Sequence, residues 1–204
     1  DDTSLKSPEF KAAVGDMAGK SYIEFSVRSR GNMYFKAYAR TSSGARVQIT
    51  NLTFTIDVNN KANKQIVTYD TDSVTNKIPT ASYQYKDDVW YTIRMDFDSE
   101  SAYYDLSVTS EDFKTISDSE PIMGANASLD RETGTYKRTG VPYYRGLTDA
   151  AGGICDIEIK QGKLDNDSYI GGFYAQPVPQ PCVRSRKLYC GGENVTEAEA
   201  KPQG

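Results

Sequence analysis

The chain has 204 residues, a formal net charge of -4 and a sequence pI near 5.0. The length suits one large β domain with its own core, and the acidic balance excludes a general nucleic-acid binder, which needs a broad basic surface. Histidine is absent, which removes histidine-dependent serine and cysteine hydrolases, and no apolar run approaches the roughly 20 residues of a membrane helix.

In chain order, Asp1-Asp2-Thr3 shows no signal-peptide pattern and fits the start of a mature or trimmed chain. "SPEFKAAVGDMAG" predicts a short helical turn, with Ser7 as cap and Pro8 at the first helical position. Period-2 alternation then predicts strands over 21–30, 33–41, 45–50, 52–58, 65–70, 81–85, 90–98 and 102–109. The composition favours pleated surfaces, with 15 Tyr against 7 Phe and 1 Trp. The segment 110–152 is polar and broken by Gly and Pro, and predicts long loops with one or two short strands. "GGICDIEIKQG" predicts a strand over 153–160. Beyond Lys160 the periodicity is lost. A sandwich domain over 1–175 is expected, followed by an extended carboxy-terminal segment or linker over 176–204. Many strands with few helices predict an all-β, antiparallel two-sheet sandwich of the jelly-roll kind.

Alternation also assigns faces. Ile23, Phe25 and Val27 point inward, as do Met33, Phe35, Ala37 and Ala39. Leu52, Phe54, Ile56 and Val58 form another core set, joined by Tyr91, Ile93, Met95 and Phe97 and by Tyr104, Leu106 and Val108. The outward faces then carry rings mixed with cations. Tyr34, Lys36, Tyr38 and Arg40 come from one strand, and Arg28, Trp90, Arg94 and Tyr103 from others. These residues are the candidate binding site. An aromatic ring covers the C–H face of a sugar, while charged and amide side chains meet its hydroxyls. Arginine also holds carboxylates bidentately, which brings uronate-containing polymers into range. Each residue alone is equally served by cross-strand packing or edge protection. Tyr143, Tyr144 and Arg145 in "VPYYRG" fit either a loop contact or turn packing.

Three segments carry a family resemblance: "AGKSYIEFSVRSRGNMYFKAYART", "DDVWYTIRMDFDSESAYYDLSVTS" and "GGICDIEIKQG". Their order resembles the concanavalin A-like, laminin-G-like sandwich over most of 18–162. The resemblance implies a carbohydrate-binding module attached to a bacterial polysaccharide-degrading enzyme. It thus implies a secreted, non-catalytic partner of a plant or microbial polysaccharide, bound on a concave sheet face. "MYFKAYART" is also similar to the "YFKAGxYxQ" motif of jelly-roll alginate lyases, which implies the alternative of a lyase with Tyr34 or Tyr38 as acid/base. The motif lies early rather than late here, and its histidine partner is missing. Hydrolase chemistry needs a carboxylate pair. Glu24, Asp96, Asp156 and Glu158 are scattered and show no "E-x-D-x-x-E" pattern.

No cofactor is expected. A structural calcium stays open, with oxygen ligands in Asp57–Asn60, Thr68–Ser73 and Asp165–Ser168, and polar turns as the competing reading. Cys182 and Cys190 are close enough in sequence for a local disulfide, which would fit export, while Cys155 reads as a small core residue. Asn51, Asn126, Asn166 and Asn194 stand in glycan-acceptor triplets.

Overall fold

The computed structural model describes residues 3–4, 9–56, 59–60, 62–70, 76–78, 83–116, 126–161, 168–177, 181–184 and 187–190. In chain order the strands are β1 (Thr3–Ser4), β2 (Glu9–Met17), β3 (Lys20–Ser29), β4 (Met33–Arg40), β5 (Arg46–Gln48), β6 (Leu52–Ile56), β7 (Lys64–Thr68) and β8 (Asn76–Ile78). They continue with β9 (Tyr91–Asp98), β10 (Tyr103–Thr109), β11 (Ala127–Asp130), β12 (Thr135–Pro142), β13 (Gly153–Gln161), β14 (Ser168–Pro177), β15 (Pro181–Arg184) and β16 (Lys187–Cys190). Among the described residues there are also two 3-10 turns, Glu111–Thr115 and Tyr144–Gly146.

The strands form a two-sheet antiparallel sandwich. A front sheet runs β1-β14-β3-β9-β10-β12-β11, and a back sheet runs β2-β13-β4-β6-β7-β8, with β5 paired to β4. Among the described residues, β15 and β16 pair with each other and with no other strand. The inward residues named from alternation are buried wherever they are described. Phe25 of β3 and Phe35 of β4 meet across the gap with ring centroids 5.0 Å apart. Phe54 of β6 lies edge-on to Tyr91 of β9 at 5.7 Å. The inner faces of the sheets therefore close on one core, and their outer faces look in opposite directions.

Several expectations are corrected. The region expected as a helical turn is strand β2, held by its ladder to β13 from Lys160↔Glu9 to Ile154↔Met17. Pairing with a distant strand overrides a local turn preference; Ser7 and Pro8 lie outside the described residues. The strand expected over 81–85 does not form in its described part, 83–85: Tyr83 and Tyr85 send buried side chains into the core without a ladder. The polar stretch after 110 does hold two strands as expected, β11 and β12, of which β12 is longer than expected at eight residues and pairs with both β10 and β11. The aperiodic stretch after Lys160 contains β14, ten residues long and inside the front sheet. Its register shifts between Gly171 and Tyr174, and that irregularity breaks the period-2 pattern. β13 opens with glycine for a steric reason. Gly153 has φ +83, and a Cβ there would sit 2.2 Å from the Met17 backbone.

Candidate functional site

The candidate residues divide between the two outer faces. Tyr34, Lys36, Tyr38 and Arg40 stand on β4 of the back sheet. Arg28 of β3, Arg94 of β9 and Tyr103 of β10 stand on the front sheet, with Trp90 just ahead of β9. The expectation of one shared surface is thereby corrected. Period 2 tells which side of a strand faces water, but not which sheet the strand joins.

The back face is largely self-satisfied. The Arg46 guanidinium lies 3.5 Å from the centre of the Tyr38 ring and 2.6 Å from Asp156. Across the β4–β13 ladder, Lys36 is opposite Glu158 and Tyr34 opposite Lys160. Thr53 and Val67 are buried although they lie in register with outward Tyr34. Burial first, and the Glu158 charge second, push the Tyr38 hydroxyl above its ordinary value. A tyrosine acting as a base needs the opposite shift.

The front face is different. Arg94 is gripped by Asp96, with Nε 3.1 Å from both carboxylate oxygens and Nη2 2.9 Å from Oδ1. Nη1 of Arg94 also lies 3.7 Å from Glu24, and its Cζ stands 4.1 Å from the centre of the Tyr22 ring. One cross-strand row reads Tyr174, Glu24, Arg94, Ser107, Lys137 and Ser128, from β14 through β3, β9, β10 and β12 to β11. The next reads Gln176, Tyr22, Asp96 and Asp105. On the other side lies a hydroxyl row, in which Ser26 bonds Thr92 at 2.7 Å and Thr109 bonds Thr135 at 3.1 Å. Beyond it Arg28 stacks on half-buried Trp90, 5.1 Å from the ring centre.

An open groove of about 670 Å³ crosses this face beside Tyr103, with Lys20, Arg94, Asp96, Asp98, Asp105 and Lys137 along it. Tyr103 and Tyr174 are each 53% exposed, and both project from the front face. Asp98 accepts a bond from Glu100 N–H at 3.1 Å and Asp105 from Gly140 N–H at 2.9 Å, each through Oδ1. The sequence reading missed Tyr174 because β14 is bulged. Alternation with buried Ile23 and Leu106 makes Tyr22, Glu24 and Asp105 outward, but it does not gather them around Arg94.

Tyr143 is a core residue, and Arg145 lies over the ring of Tyr144, so turn packing accounts for "VPYYRG". Cys155 is buried, with Sγ 3.6 Å from the Tyr38 carbonyl. The side chains of Cys182 and Cys190, most of the proposed calcium loops, and Asn166 and Asn194 lie outside the described residues. Among the described residues, no group of three or more Cys, Asp or Glu side chains is placed to hold a metal. Likewise, no helix there is long and apolar enough to cross a membrane.

No protein-family model and no curated protein sequence matches this chain. Solved structures with a similar course of chain include the catalytic domain of a glycoside hydrolase family 131 protein from Coprinopsis cinerea. That match has 15% identity and a TM-score of 0.41, over 81% of this chain and 59% of the other. A tetrameric galectin from the ball sponge Cinachyrella sp. matches at 10% identity and TM-score 0.42, over 82% of this chain and 99% of its own. Peanut lectin matches at 10% identity and TM-score 0.41, over 85% and 86%. This chain spans about three-fifths of the first of these. At such identities and scores the likenesses carry no weight for function.

Proposed function

We propose that the protein binds a polysaccharide on the outer face of its front sheet, without catalysis, as one module of a larger extracellular protein. The observation that carries this reading is the placement of the exposed rings. Tyr103 and Tyr174 project from one face, on either side of the Arg94 cluster. A ring half exposed on a sheet face leaves apolar surface in water. The C–H face of a sugar would cover it, while Asp98 and Asp105 meet the hydroxyls around it. On the back face, by contrast, Tyr38 is already covered by Arg46.

Affinity electrophoresis against a polysaccharide panel tests the reading. Retardation of the native protein is expected, and Tyr103→Ala is expected to weaken it about tenfold, or ~1.4 kcal/mol, with an unchanged melting temperature. The double variant Tyr34→Ala, Arg40→Ala on the back face is expected to migrate as the native protein does. Retardation lost in that double variant and kept in Tyr103→Ala would move the site to the other side of the sandwich. Release of reducing ends or unsaturated product from the retained polymer would overturn a purely binding role.

A further inference from the structure

We infer that the front face takes a neutral glycan chain several sugars long, rather than a polyuronate or a single sugar; this rests on the binding reading above. The first ground is charge. Along the groove, Lys20, Arg94 and Lys137 are matched by Asp96, Asp98 and Asp105. Arginine is the side chain best shaped to clamp a uronate. Here the Arg94 fork is already filled by Asp96, with Glu24 on its remaining side. Asp98 and Asp105, which both line the groove, use Oδ1 for backbone N–H groups, which leaves Oδ2 of each as an acceptor. A carboxylate oxygen there accepts from a sugar hydroxyl and repels a sugar carboxylate. Lys20 and Lys137, on the exposed rim, make no ion pair among the described residues, yet each has an acid close by. Lys20 is directly opposite Asp98 across the β3–β9 ladder, and Lys137 lines the groove with Asp105.

The second ground is length. Tyr174 is in register with Glu24, Arg94 and Ser107, and Tyr103 lies further along the strand that holds Ser107. From β14 to β10 is three inter-strand steps of ~4.8 Å, and from Ser107 to Tyr103 four residues of ~3.3 Å, so the rings stand about 20 Å apart. A chain touching both would lie obliquely across the strands, over Tyr22 and Asp96. That reach exceeds one sugar ring, so the ligand is a polymer and its affinity depends on length.

The test runs native protein on gels containing laminarin, xylan or galactomannan, and in parallel alginate or polygalacturonate, at low and high salt. The expected result is retardation by at least one neutral polymer, changed less than about twofold by salt, and none by the polyuronates. A length series of oligosaccharides from the retained polymer, read by calorimetry, is expected to gain affinity until both rings are spanned. Tyr174→Ala is expected to remove that gain with length. Retention by a polyuronate that falls with salt and with Lys137→Ala would overturn the neutral assignment and leave glycan binding standing. Equal affinity for short and long oligomers would overturn the length assignment alone. No retardation on any gel would overturn the binding reading together with both.

Discussion

Asp112 shows how much rests on single polar residues in this core. It is buried at the first turn after β10 and accepts from the hydroxyls of Tyr83 and Tyr91, the latter at 3.1 Å. Lys86 reaches the same carboxylate at 2.5 Å from a largely exposed position. Tyr83 and Phe113 pack edge to face beside it, at 5.3 Å. Asp112→Leu keeps the branched shape and removes the acceptor, so buried tyrosine hydroxyls lose a partner. A loss of about 1–3 kcal/mol is expected in urea unfolding, with an unchanged m-value. A variant as stable as the native chain would mean that the tyrosines find water or each other at no cost. The remaining bond between the two hydroxyls, at 3.0 Å, sets the lower end of that range.

At the scale of the element, β9 does two jobs through one alternation. Tyr91, Ile93, Met95 and Phe97 fill the core, while Thr92, Arg94, Asp96 and Asp98 face the groove side. One alanine inserted between Thr92 and Ile93 exchanges these faces for one half of the strand. The cooperative unfolding transition is expected to disappear. The same insertion in the Asp98–Ser101 turn, closed by a 2.9 Å bond, is expected to be tolerated. A folded product of the first insertion would show that the ladder can slip. This alternation is also why β3, β4, β9 and β10 were legible in the sequence to within a residue or so. Where an irregularity interrupts it, as at Gly171–Tyr174 in β14, legibility stops. Sheet membership was not legible at all, because pairing partners are set by long-range contacts. Tyr34 and Arg94 look alike in sequence, as outward residues of amphipathic strands, yet they end up on opposite sides of the molecule.

For the whole molecule, tyrosine burial sets the response to pH. Burial pushes Tyr136 and Tyr143 up to about 12, and also raises Tyr83, Tyr85, Tyr91 and Tyr104. In the unfolded chain a tyrosine ionises near 10. The folded state therefore holds these protons longer, and its stability is complete below that pH and lost as pH rises through 10 toward 12 and above. With no histidine in the chain, no step from that side chain is expected near neutrality. The urea midpoint is expected to fall steeply above about pH 10, with tyrosinate absorbance of the buried set appearing only as the circular dichroism is lost. Free titration of all tyrosines near 10 with the dichroism intact would contradict this packing.

The front sheet also has a practical use. Its groove-side positions at Tyr22, Arg94, Asp96, Asp105, Ser107 and Lys137 are interleaved with core residues on the same strands. The former can be randomised while every inward side chain is left in place. Such a library would display many recognition plates on one frame, from which receptors for other oligomers could be selected.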